Sequence, residues 1–103
     1  MTAKEILNQH RANVVRLLEA EALLDTGGVS QALVDRCKAA YLSTEQDAVE
    51  IVEACDDPRT HAALKLRFLL GHTWAETGYF LGHVSAESVR KRCGMYLRNV
   101  EKK

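Results

Sequence analysis

"TWAETGYFLGHVSAESVRKRC", residues 73–93, carries two helix starts on either side of one glycine. Thr73 and Glu76 are three apart. At that spacing a hydroxyl accepts the N–H of the third helical residue, and the carboxylate of that residue returns to the N-cap N–H. A short helix over 74–81 is predicted, ended by Gly82. Ser85 then caps a longer helix that runs to about Val100. Two helices across a tight glycine-containing turn, with Arg90-Lys91-Arg92 on the second, fit a helix-turn-helix.

The second helix can be read by angle. At about 100° per residue, Val89, Cys93, Tyr96, Leu97 and Val100 fall on one stripe, which should be buried. Glu87, Ser88, Lys91, Met95 and Arg98 point away, with Arg90 and Arg92 on the flanks. A recognition helix reaches base edges with the outward residues of its first turns. Here these are Ala86, Glu87, Ser88 and Lys91, next to the capping Ser85. Lysine can donate to guanine, glutamate can accept from cytosine, and serine can bond to either kind of edge. Arg90, Arg92 and Arg98 are placed for phosphates, which fix position without reading sequence. Gly94 weakens the helix and leaves room for a backbone to approach closely. The bland alternative is an amphipathic terminal helix with a solvated basic face. Cations suit a helix C-terminus, but Arg90-Lys91-Arg92 lies in the first half, where the macrodipole disfavours them.

Working upstream, Asp57-Pro58 restarts the chain: Asp caps, and Pro loses no hydrogen bond at the first helical position. A helix over 58–70 should end at Gly71. Thr2 and Glu5 repeat the capping-box spacing and open a helix to about Leu24. Its apolar stripe is Ile6, Leu7, Val14, Leu17, Leu18 and Leu24, with His10 and Glu21 breaking a heptad pattern. Asp25-Thr26-Gly27-Gly28 ends it. A second helical stretch covers about 30–55 with Leu33, Val34, Cys37, Tyr41, Val49, Val52 and Cys55 as apolar positions. Ser43-Thr44-Glu45-Gln46 is a further capping box, so this stretch is either one helix or two. The short Gly-Gly connection makes the pair an antiparallel hairpin. The expected fold is all-α: an N-terminal helical hairpin over 1–56 and a helix-turn-helix module over 57–103.

The 103 residues suit one small domain or a domain with a helical extension. Lys+Arg and Asp+Glu both number 14, so formal net charge is zero. They are unevenly spread: residues 1–57 hold five basic and eleven acidic residues, and 58–103 hold nine basic and three acidic. The basic half suits a polyanion; the simpler explanation is mutual attraction of the halves. Cys37, Cys55 and Cys93 lack paired ligand spacing and read as reduced, buried residues of a cytoplasmic protein. His10, His61, His72 and His83 are scattered, so no metal or cofactor is expected. No nucleophile elbow, phosphate loop or paired carboxylates are present, so neither an enzyme nor a small-molecule substrate is expected. Trp74 reads as a core anchor. No apolar run is long enough for a membrane span, and no signal core opens the chain.

The stretch "LKLRFLLGHTWAETGYFLGHVSAESVRKRCGMYLRNV", residues 64–100, resembles the helix-turn-helix of sigma factor region four. It is most similar to that of small phage transcriptional regulators of the RinA/ArpU type. The family pattern is a D-x-x-R start, an L-x-x-R-[YF]-L-x-G-x-[ST]-W-x-E-I-A-x-x-L-G body, then Ser and a basic helix. Matching it are Asp56, Arg59, Leu64, Arg67, Phe68, Leu69, Gly71, Thr73, Trp74, Glu76, Leu81, Gly82, Ser85, Val89 and Leu97, over about 45 C-terminal residues. Thr77-Gly78 replaces the family's Ile-Ala pair, which predicts weaker packing between the two helices. Gly82 to Val89 is one residue longer than usual, which predicts a longer turn, and Tyr96 stands where a small residue is common. The resemblance implies sequence-specific binding of double-stranded DNA for transcription regulation, in a phage or prophage setting. RNA polymerase is an implied second partner. The acidic hairpin would serve that contact or a homodimer. The competing expectation is a protein-interaction module that keeps the sigma-like fold and never touches DNA.

Overall fold

The computed structural model describes residues 1–101. Lys102 and Lys103, counted above in the basic half, lie outside them. Among the described residues the chain is all-α, with five helices and no strand. They are α1 (Ala3–Asp25), α2 (Gln31–Glu53), α3 (Pro58–Leu64, widening into a π-helical turn over Lys65–Leu69), α4 (Trp74–Phe80) and α5 (Ala86–Glu101).

Thr2 caps α1 by accepting the Glu5 N–H at 3.1 Å. The return half of the expected box does not form, because the Glu5 carboxylate lies against the Thr2 hydroxyl instead. A distant residue engages the next amide along: the Ala3 N–H donates to the Glu101 carboxylate at the far end of α5. An acid at a helix N-terminus is favourable. The other end of α1 closes as a Schellman turn, with Gly28 N–H on Leu23 O at 2.8 Å, Gly27 N–H on Leu24 O at 3.0 Å and Gly27 at φ 77°.

The α2 helix is unbroken. Ser43 and Thr44 do not cap: their hydroxyls donate back to the carbonyls of Ala40 at 2.6 Å and Tyr41 at 3.2 Å. Such back-bonding lets a helix run through hydroxyl residues. The α1–α2 seam is also less apolar than the stripe suggested. Leu7 and Val14 are buried, but Leu18 is 55% exposed. His10 and Asn13 take the seam instead and meet on Thr44, with His10 Nδ1 at 2.7 Å and Asn13 Nδ2 at 3.1 Å from its Oγ1. The Thr44 hydroxyl thus ties both α1 side chains to α2.

Asp57 caps α3 through the Thr60 N–H at 2.9 Å and the Thr60 hydroxyl at 2.6 Å. The core then draws on every long segment: Ala3, Leu7, Ala48, Val52 and Cys55 on one side of 56/57, and Ala63, Leu64, Phe68, Val89, Cys93 and Leu97 on the other. One carboxylate–imidazole contact among the described residues crosses 56/57, Glu53–His61 at 3.4 Å, and Asp57, at the start of the basic module, stands 3.9 Å from Arg92. His61 is half-buried and the other three groups are exposed, where such contacts contribute little. Apolar burial, not charge attraction, joins the two segments.

The α4–α5 unit is set by its turn. Thr73 and Glu76 complete a capping box, at 2.9 and 3.1 Å. Gly82 (φ 93°) and His83 (φ 66°) both adopt the left-handed conformation. Val84 N–H then reaches back to Gly78 O at 2.9 Å. The turn at the end of α1 closes with a bond from residue i+5 back to residue i, and this one from i+6 back to i. The expectation that Thr77-Gly78 weakens packing is overturned. Thr77 is fully buried and donates its hydroxyl to Thr73 O at 2.8 Å. A β-carbon on Gly78 would lie 2.0 Å from Val84 O, so the turn packs onto bare backbone. Gly94 behaves in the opposite way. Nothing lies within 4 Å of a β-carbon there, so no backbone approaches it.

These two glycines should therefore respond oppositely to alanine. Gly78→Ala should cost roughly 3 kcal/mol or more, through steric overlap with backbone. Gly94→Ala should stabilise by about 0.5–1 kcal/mol. Denaturant melts of both variants read this directly. Burial holds the His10 imidazole below its ordinary value, against an opposing pull from Glu45. The folded chain thus takes up this proton less readily than the unfolded one. The contribution of neutral His10 is complete above about pH 6.5 and is lost as pH falls from there towards the lower folded value. The melting temperature should fall between about pH 7.5 and pH 5, and fall less in His10→Gln.

Candidate nucleic-acid interface

The α5 helix owes its position to the Ser85 cap, whose Oγ accepts the Ser88 N–H at 3.1 Å, and to its buried stripe of Val89, Cys93 and Leu97. Tyr96 and Val100 are half-buried beside it. The opposite face is open. Ser85, Glu87, Ser88, Arg90, Lys91, Arg92, Met95 and Arg98 are all exposed, and Ala86 is half-buried. All eight candidate residues thus share one stretch of α5 and its cap. Four cations stand there against one carboxylate.

That carboxylate is already engaged. Arg90 grips Glu87 with two bonds, at 2.6 and 3.1 Å, and Lys91 stands 3.9 Å from it. The Arg90 bond, then the charges of Arg90 and Lys91, hold the Glu87 carboxyl below the usual carboxylate range. Glu87 therefore braces its cationic neighbours, whereas the sequence suggested a free acceptor for cytosine. Ser88 is also tied, to the Ser85 hydroxyl at 2.9 Å. Lys91 stays 68% exposed and Arg92 48% exposed, so both remain open to an incoming anion. Arg98 has no carboxylate partner among the described residues.

Two cations that sequence spacing does not connect to α5 lie beside it. Lys4, in the first turn of α1, and Arg67, in the π-helical turn, share a cleft with Arg90 and Gly94. Arg67 lies over the Trp74 ring at 4.4 Å and donates to His72 O at 3.2 Å. Trp74 also meets Phe68 edge-on at 5.9 Å, so it is packed against the core as expected. Nothing local marks Lys4, because its neighbourhood is created by Glu101 holding the start of α1 against the end of α5. Arg59, in the family-like start, donates to Leu81 O at 3.1 Å and so supports the end of α4.

A separate patch lies on α4. Tyr79 and Phe80 are 62% and 57% exposed and stack edge-on at 5.8 Å. His83 flanks Tyr79 at 4.8 Å and His72 flanks Phe80 at 5.1 Å. Among the described residues no cluster of His, Cys, Asp and Glu is arranged for a metal ion, and no helix is long and apolar enough to cross a membrane. No protein-family model, curated protein or solved structure matches the chain.

The cysteines differ in setting. Cys55 and Cys93 are buried, and burial pushes the Cys93 thiol up to about 11. Cys37 is only half-buried. An aromatic disulfide reagent at about pH 8 should modify Cys37 in the native protein and reach the buried Cys55 and Cys93 only in denaturant. Mass spectrometry of the labelled peptides checks this.

Proposed function

We propose that the protein is a non-catalytic, sequence-specific binder of duplex DNA acting in transcription regulation, with α5 lying in the major groove. The observation that carries this is the open face of α5, where Arg90, Lys91, Arg92 and Arg98 stand exposed behind a buried apolar stripe. A polyanion gains affinity from such a face by releasing its counterions. Ser88 and Lys91 sit in the first turns, where a recognition helix meets base edges. Arg90, Arg92 and Arg98 hold phosphates, and Glu87 orients Arg90 and Lys91. Ser85 fixes the start of the helix, and Ala86 lets the groove edge come close.

The likeness of residues 64–100 to sigma factor region four extends this reading. On it, α4 and α5 form the helix-turn-helix of a phage or prophage regulator working in the cytoplasm, and RNA polymerase is a second partner. The hairpin of α1 and α2, which carries most of the acidic residues, would serve that contact or a homodimer with paired half-sites. A second reading has its own support: the exposed Tyr79–Phe80 patch suits a protein partner, since aromatic side chains are enriched at interfaces.

Affinity for duplex DNA should fall by about two to three orders of magnitude between about 50 and 200 mM salt, if roughly five phosphates are neutralised. Lys91→Glu with Arg92→Glu should abolish binding at low salt, while Tyr79→Ser with Phe80→Ser should leave it unchanged. A chain that ignores duplex DNA at about 50 mM salt, and loses a protein partner on the Tyr79→Ser and Phe80→Ser changes, would favour the interaction module.

A further inference from the structure

The first turn of α1 and the open side of α5 enclose a groove in two connected parts. The wider part, about 620 Å³, is lined by Lys4, Arg90, Lys91, Gly94, Arg98 and Glu101 among others. The narrower part, about 240 Å³, continues past Lys4, Arg90 and Gly94 to Asn8, Arg67 and Trp74. Five cations thus face one carboxylate, and that carboxylate already accepts the Ala3 N–H. Glu87 engages Arg90 and Lys91, whereas Lys4, Arg67 and Arg98 have no carboxylate partner among the described residues. The deep end holds uncompensated charge. Burial and the neighbouring Arg11 both disfavour the charged form of Arg67, and the Nε atoms of both guanidiniums are buried without a hydrogen-bond partner. The guanidiniums instead share the carbonyl of His72, Arg67 at 3.2 Å and Arg11 at 3.4 Å. Phe68 and Leu97 line the narrow part, and such apolar walls strengthen attraction to an anion.

Gly94 supplies an independent observation. It sits mid-helix, where glycine is the least favourable residue after proline. No close packing requires it, since a β-carbon there meets nothing within 4 Å. Its consequence is an open space in both parts of the groove, between Lys4 and Arg90.

We propose that this groove is a phosphate-binding site, built jointly by α1, the π-helical turn and α5, and that its occupant is a backbone phosphate of the duplex lying along α5. Lys91 and Arg98 belong to both the groove and the outer face of α5, so one strand can contact both. The phosphate source rests on the DNA reading; the site itself does not. Lys4 and Arg67 are then positioning contacts that add affinity without reading bases.

The chain has one tryptophan, Trp74, and it lines the groove, so its fluorescence reports occupancy. Three full-length chains are compared: wild type, Lys4→Glu and Gly94→Leu. Leucine is a strong helix former, so Gly94→Leu should melt no lower than wild type while filling the groove. Inorganic pyrophosphate at low salt should change the Trp74 emission of wild type and of neither variant. Affinity for random-sequence duplex should drop roughly tenfold in both variants, with the log–log salt slope smaller by about 0.9, as for one lost phosphate contact. Wild-type and variant chains that bind duplex equally, with no pyrophosphate response, would overturn the site and leave the DNA reading standing. A wild type that binds no duplex, yet responds to pyrophosphate through Lys4 and Gly94, would overturn the duplex as phosphate source and reassign the groove to a free phosphorylated ligand. A pyrophosphate response that survives in Gly94→Leu would place the anion elsewhere and also overturn the site.

Discussion

The carbonyl oxygen of Val84 lies 2.0 Å from where a β-carbon on residue 78 would be. The turn between α4 and α5 is held onto α4 by that close approach, and by the Val84 N–H on the Gly78 carbonyl. The direction of α5 depends on it. The capping box of Thr73 and Glu76 fixes where α4 begins, and the left-handed pair Gly82 and His83 turns the chain. Gly78 then lets the extra residue of the turn fold inwards. The added length is absorbed by backbone packing rather than by a loose loop. With α5 so directed, Val89, Cys93 and Leu97 enter the core and the arginines and lysine face out.

One core joins α1, α2, α3 and α5. Leu64 and Phe68 of α3 share it with Leu7, Val52, Val89 and Leu97, so the hairpin and the basic module are not independent bodies. This matters for the electrostatics. Burial of apolar surface holds the acidic and basic segments together, which leaves most cations of α5 free of long-range partners. The carboxylates that do reach the basic side are few and specific. Glu87 braces Arg90, Asp57 stands near Arg92, and Glu101 closes the end of α1. Lys91, 3.9 Å from Glu87, stays 68% exposed, and Arg98 has no carboxylate partner among the described residues. The polar knot of His10, Asn13 and Thr44 makes the hairpin seam depend on hydrogen bonds as well as apolar contact, and so on pH.

What was legible in the sequence was local. Thr2, Asp57, Thr73 and Ser85 each cap the helix expected of them, because a cap is decided within four residues of chain. The glycine ends at 27, 71 and 82 follow for the same reason. The angular reading of α5 separated its buried and open faces because a single helix has a fixed period. Features that need two distant segments were not legible. Ser43-Thr44 looked like a cap, yet the hydroxyls back-bond within an unbroken α2 while Thr44 also receives His10 and Asn13 from α1. Gly78 looked like a packing defect, and only the fold of the turn reveals it as a requirement. Glu87 looked like a free acceptor, but its rotamer is settled by Arg90. Lys4 joined the candidate site without any sequence signal, because the α1–α5 contact brings it there, and Arg67 had only its place in the family pattern.

A map of amide chemical shifts during titration of the full chain with random-sequence duplex at low salt most directly tests whether the open face of α5 meets DNA. The largest shifts should fall on Ser88, Lys91, Arg92 and Arg98, with smaller ones at Lys4, and all should fade as salt is raised. Shifts confined to Tyr79 and Phe80, or none at all at low salt, would contradict the assignment of α5 as a nucleic-acid interface.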